Sequence, residues 1–245
     1  MLRPLVKKRM AAPRPPRRRS RPARVIVLLF FLALARAAAA QTAQEEESPQ
    51  TLQGEGSPFV TVFLPHAISL ELPRSWRVVA GAAREPLETG AAGDIDLSRM
   101  PVPDSHVLLR ANATPSDQPA SLSVAFLPRA IGNLGQGEEL SPDELTAYDQ
   151  QLRLKVENAL RSQGIDLLEW KGTHQDRLNG RFALVSEYRR RSQGFPPMWE
   201  QVNALPVDDG MAVLSLAHSE QEGSLWRAVV MRIRSSFRTH ETSAP

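Results

Sequence analysis

The sequence predicts an α+β fold: an antiparallel β-sheet of about six to eight strands, with a long central helix and a C-terminal helix packed on it. Three observations carry that expectation. A helix with a marked start sits in mid-chain at Ser141-Pro142-Asp143-Glu144. Short runs of alternating apolar and polar residues precede and follow it. Asn179-Gly180 and Asp208-Asp209-Gly210 each separate two such runs, and these pairs close antiparallel hairpins. No βαβ alternation, glycine-rich phosphate loop or internal repeat occurs.

Taken in order, Phe59–Leu72 reads as two strands broken at Pro65-His66, because Ile68, Leu70 and Leu72 alternate with Ser69 and Glu71. Pro73-Arg74-Ser75 turns the chain and Trp76-Arg77-Val78-Val79 resumes it. Ala82–Pro103 has little periodicity and reads as a long loop. Val107–Ala111 and Ser121–Leu127 are the next strands, with Leu122, Val124 and Phe126 on one face. Between them Asn112-Ala113-Thr114 matches a glycosylation sequon followed by Pro115.

The central helix follows its capping box, with proline at the first helical position. Leu145, Tyr148, Leu152, Val156, Ala159 and Leu160 share one face, and Gly164 ends it. Ile165–Thr173, His174–Leu178 and Arg181–Arg190 then alternate about the Asn179-Gly180 turn. Trp199–Val207 and Met211–His218 form the second hairpin. Gly223–Phe237 closes the chain as a helix with Leu225, Trp226, Val229, Val230, Ile233 and Phe237 inward. A strand is the alternative there, since Met231-Arg232-Ile233-Arg234 alternates.

Residues 1–40 hold eleven basic residues and no acidic one. Arg17–Arg24, the apolar run Val25–Ala35, and Ala38 and Ala40 have the three parts of a cleaved signal peptide, with the cut before Gln41. A retained anchor wants about 20 apolar residues, and this run is interrupted at Arg36. A twin-arginine signal is opposed by Pro22-Ala23-Arg24, and Met10 is an alternative start. The expected organisation is therefore 1–40 signal, 41–58 disordered acidic leader, 59–238 a single α+β domain and 239–245 a disordered tail.

Removing the signal reverses the charge. Thirty basic residues fall to nineteen against twenty-seven acidic ones, so +3 becomes −8. An acidic mature chain argues against nucleic acid and anionic lipid as partners. With no cysteine, thiol chemistry, disulfides and a lipid-modified cysteine are all excluded. The expected location is exported, periplasmic or extracellular, with no stable membrane span after cleavage.

Catalytic and metal motifs are sparse. His66, His106, His174, His218 and His240 share no ligand-like spacing. His174-Gln175-Asp176 reads as a solvated strand edge, and Asp208-Asp209-Gly210 as a turn. No G-x-S-x-G elbow exists. No catalytic residue, metal or cofactor is therefore expected. A hydrolase with a site between residues 81–103 and the sheet is the alternative, as is a small-ligand pocket lined by Trp76, Trp170 or Trp226. The candidate partner-binding residues are Arg189, Arg190, Arg191, Phe195 and Trp199: the densest basic run of the mature chain beside two aromatics and two prolines. Arginine and aromatics are the residue types that anchor interfaces. The competing reading folds Phe195 and Trp199 back onto the sheet edge.

Two phrases resemble the PsbP-like and Mog-like α/β domains. One is Ile68-Ser69-Leu70-Glu71-Leu72-Pro73-Arg74-Ser75-Trp76-Arg77-Val78; the other is Ile233-Arg234-Ser235-Ser236-Phe237. The resemblance covers roughly residues 59–238. It implies a strand-end corner at Leu72-Pro73 with the Trp76 indole plugging the sheet, and a helix end docked through Ser236 and Phe237. It implies no catalytic residue. That family includes non-enzymatic assembly and binding proteins and exported bacterial proteins, so a protein partner is the expectation it adds.

Overall fold

The computed structural model describes residues 57–80, 94–100, 106–113, 119–128, 139–207 and 209–239. The expected signal, most of the expected acidic leader and nearly all of the expected tail lie outside these. In chain order the elements are β1 (Phe59–Leu64), β2 (Ile68–Pro73), β3 (Arg77–Ala80), β4 (Ile95–Asp96), β5 (Val107–Asn112), β6 (Ala120–Pro128), α1 (Pro142–Arg161), β7 (Ile165–Leu178), β8 (Arg181–Ser192), β9 (Met198–Val207), β10 (Gly210–Ser219), α2 (Gly223–Ser236) and β11 (Arg238–Thr239).

The fold is α+β, as expected. One sheet has seven strands in the order β3-β5-β6-β10-β9-β8-β7, every neighbouring pair antiparallel. The sequence suggested a single sheet, but β1 and β2 build a second one in the order β11-β2-β1-β4. In it β1 and β4 run parallel, with Val62 opposite Ile95. β4 falls within the segment read as a loop; two residues are too few for a period of two to show.

α1 starts where its cap dictates. Ser141 Oγ accepts from the Glu144 amide at 3.4 Å, and the Glu144 carboxylate accepts from the Ser141 amide at 2.9 Å. The Ser141 amide first, and the Ser141 hydroxyl second, donate to the Glu144 carboxylate and hold it below its ordinary range. Tyr148, Leu152, Val156 and Leu160 form the buried stripe. They meet Phe182, Leu184 and Tyr188 of β8, Val202 and Ala204 of β9, and Val213 of β10.

Alternation sends the other residues of these strands to the opposite face. There Leu122, Val124, Leu205, Leu214 and Leu216 pack against Val62, Leu70 and Leu72 of the small sheet, and against Trp226, Val230 and Ile233 of α2. Residues 223–236 are helical, which settles the choice between helix and strand. Leu225, expected inward, is 49% exposed. The buried stripe is Trp226, Val230 and Ile233, and Leu225 sits one helical step off it.

Both phrases that resembled PsbP-like domains take the expected structural roles. Trp76 is buried and meets Trp226 edge-on at 5.9 Å. Phe237 is fully buried, and Ser236 Oγ accepts from the Glu71 amide at 2.8 Å. The β1–β2 turn is held across the sheets by His66, whose ring stacks on Phe126 at 3.4 Å while Nδ1 lies 3.2 Å from Asp209 Oδ2. Gly210 is required at the start of β10, because a Cβ there would run into the Leu127 carbonyl oxygen of β6.

Polar ties fasten α2 and its C-terminal end to β7, β9 and the β7–β8 turn. Arg234 Nε donates to Asn203 Oδ1 at 2.9 Å, and its Nη2 donates to Asp176. Asn179, in the left-handed conformation of its hairpin turn, donates from Nδ2 to the Phe237 carbonyl at 2.5 Å. Arg234→Ala removes the donor from a fully buried Asn203 acceptor. Its expected cost is about 1–3 kcal/mol, read as a lower urea midpoint at unchanged m. The Arg234 hydrogen bond holds the Asp176 carboxyl below its ordinary range. That contribution is therefore complete above about pH 4 and is lost as pH falls through the lowered value. Arg234→Ala should correspondingly flatten the acid side of the stability profile.

Candidate partner-binding face

The run Arg189-Arg190-Arg191 ends β8, and strand alternation splits it. Arg189 and Arg191 project to one face and Arg190 to the other. Arg190 is 8% exposed, with Nε 2.5 Å from Glu200 Oε2, on the α1 side of the sheet beside Tyr188. This corrects its assignment to the partner-binding set. A buried guanidinium held by a buried carboxylate is a core ion pair. Burial first and the Glu200 carboxylate second push the Tyr188 phenol well above its ordinary value. Burial, the largest single influence, acts to lower Arg190, but the Glu200 charge, Tyr188 and the Glu200 hydrogen bond together outweigh it and the net shift is upward.

On the opposite face Arg189 stands directly across from Trp199 of β9. The Lys171 ammonium lies 4.0 Å from the centroid of the Trp199 ring, and the Arg189 guanidinium carbon lies at 5.8 Å. Arg189 Nη1 donates to Glu220 Oε1 at 2.9 Å, and its Nε lies 3.9 Å from Glu169. Trp199 is only half-buried, so a fixed indole flanked by two cations faces solvent. Glu187 and Gln201, bonded at 2.7 Å, continue the same face.

Phe195 sits in the β8–β9 turn, 44% exposed. The turn is closed by the Phe195 amide on the Ser192 carbonyl at 3.1 Å, with Gly194 at φ 81°. The Glu220 amide donates to the Pro197 carbonyl at 2.9 Å, drawing the start of α2 to this turn. Arg191 is exposed, 3.7 Å from Asp166. The structure thus joins Arg189 to Trp199, sets Phe195 and Arg191 at the same end of the hairpin, and removes Arg190. Of the two aromatics, Trp199 is the more buried and Phe195 the more exposed.

Sequence reasoning missed Lys171, Glu169 and Glu220. Counting back from the Asn179-Gly180 turn along a regular β7 would set Glu169 opposite Arg190, whereas it lies opposite Arg189. Register shifts between Leu167 and Glu169, and between Trp170 and Gly172, break that count. The three tryptophans named for a pocket are divided between faces. Trp76 and Trp226 touch on one. Trp170 stacks on Tyr188 at 5.7 Å on the other, and its Nε1 donates to Asp149 of α1 at 2.9 Å.

Of the residues between 81 and 103 assigned to the alternative hydrolase site, only 94–100 are described. Among the described residues no three His, Cys, Asp or Glu side chains are placed to hold a metal ion. His174 and Asp176 share a strand face, but Asp176 is engaged by Arg234. No helix among the described residues is long and apolar enough to cross a membrane.

No protein-family model matches the chain, and no curated protein does. Solved structures do resemble it. The solution structure of cyanobacterial PsbP (CyanoP) from Synechocystis sp. PCC 6803 aligns with a TM-score of 0.47 and 12% identity, over 78% of this chain and 98% of that one. LpqN of Mycobacterium tuberculosis, described as involved in cell envelope biogenesis, aligns with a TM-score of 0.36 and 14% identity over 75% and 86%. The Saccharomyces cerevisiae Ran-binding protein Mog1p aligns with a TM-score of 0.39 and 12% identity over 72% and 92%. These are weak, fold-level likenesses, and they include both groups whose sequence phrases the chain resembles.

Separating the arginines by face has a measurable consequence. Arg190→Ala leaves Glu200 buried without its cation and should cost about 3–5 kcal/mol. Arg191→Ala, at the surface, should change stability by no more than about 0.5 kcal/mol. Urea unfolding of the two variants side by side checks this; equal costs would contradict the assignment.

Proposed function

We propose that the protein is an exported, non-enzymatic binding or assembly protein of the bacterial cell envelope, acting through protein–protein contacts on the Arg189–Trp199 face. The observation that carries this reading is the partly buried Trp199, held between Lys171 and Arg189 with Phe195 exposed at the neighbouring turn. An indole whose rotamer is already set loses little entropy on binding, and aromatic and arginine side chains dominate interface energetics. The exposed Phe195 adds an apolar anchor within the same hairpin. Export rests on the basic, apolar and small-residue order of residues 1–40.

A photocrosslinking residue placed at Gln201, on the same face, should trap one discrete partner in the intact envelope. The same residue at Leu154, exposed on the outer side of α1, should trap none. Trp199→Ala and Phe195→Ala should each reduce the adduct at least about tenfold, the loss expected for an anchor residue worth more than about 1.4 kcal/mol. Identical adducts from both positions, or an adduct indifferent to both substitutions, would overturn the reading.

A further inference from the structure

We propose that the outer edge of β7 pairs antiparallel with β7 of a second copy of this chain, about a two-fold axis at Gln175. β7 is 14 residues long and ends the seven-stranded sheet, and no described strand lies on its outer side. The two-residue Asn179-Gly180 turn makes Leu178 and Arg181 a hydrogen-bonded pair, which fixes the parity of the whole strand. Gly172, His174 and Asp176 therefore direct their backbone groups to β8. Thr173, Gln175 and Arg177 direct theirs outward.

The two bulges that would blunt such an edge lie before Gly172. From Gly172 to Leu178 the pairing with β8 is one to one, and the segment holds no proline. Its side chains leave the pairing plane clear. The Gln175 amide is occupied on the α1 side with the Leu140 backbone, at 2.5 and 3.1 Å, and Arg177 reaches Glu139 at 3.1 Å on that side.

The segment is its own complement, and that selects a second copy over a foreign strand. A two-fold axis at Gln175 sets Thr173 opposite Arg177 of the partner subunit and allows about six backbone hydrogen bonds. It sets His174 opposite the partner's Asp176, and the reverse, in non-hydrogen-bonded pairs where side chains approach closest. An imidazole then faces a carboxylate twice, the Asp176 carboxylate being bonded to Arg234 as well. Both α1 helices lie on the same side of the continuous sheet, and the Trp199 face stays open on the other.

Sedimentation equilibrium of the exported protein at rising concentration should show a monomer–dimer equilibrium. Gln175→Pro removes an outward N–H at the axis without breaking a ladder bond inside the chain, and should weaken dimerisation at least about tenfold. His174→Glu, at an exposed position, sets like charges opposite each other and should also weaken it, whereas His174→Lys should not. If Gln175→Pro fails to fold, the His174 pair decides. A monomer at every concentration would overturn the proposal, as would a dimer that both Gln175→Pro and His174→Glu leave intact.

Discussion

The seven-stranded sheet has two apolar faces, and both must be taken out of water. Each fully buried aliphatic or aromatic side chain contributes about 1.5–3 kcal/mol, against about 0.5–1.5 kcal/mol for a hydrogen bond. Cover therefore decides the architecture, and polar ties decide its register. α1 covers one face with a single stripe of four residues. The other face needs two elements, the small sheet and α2, and neither suffices alone. The small sheet supplies Val62, Leu70 and Leu72, and α2 supplies Trp226, Val230 and Ile233, to one continuous core.

That shared core explains why the first and last described elements meet. β11 pairs with β2, Arg232 of α2 pairs with Glu71 at 2.8 Å, and Ser236 accepts from the Glu71 amide. The first described strands and the last described helix are thus one layer. Arg234 and Asn179 then link that layer to β9, β7 and the β7–β8 turn. Because α2 lies towards β10, the face formed by β7, β8 and β9 beyond it keeps the polar residues around Trp199. The candidate interaction face is the part of the sheet that the helical layer leaves uncovered.

Much of this was legible in the residues. The Ser141–Glu144 box, the Asn179-Gly180 turn and the 3–4 spacing of α1 are local signals, and local chemistry realises them. The exit of β1 and β2 to a separate sheet was not legible, since the same alternation serves either sheet. β4 was invisible because a two-residue strand has no period. At the candidate face, three consecutive arginines in a strand cannot share a side, and Arg190 went to the core. Lys171 reached Trp199 through bulges in β7, which no pattern in that strand announces.

The central claim is that α2 and the small sheet are one covering layer for the large sheet. Native-state hydrogen exchange tests it most directly. Amides of β1, β2 and α2 should open with the same free energy and denaturant dependence as those of β6 and β10, as one cooperative unit. If α2 exchanged by a separate, lower-energy opening that left β1 and β2 protected, the shared-layer account would be contradicted.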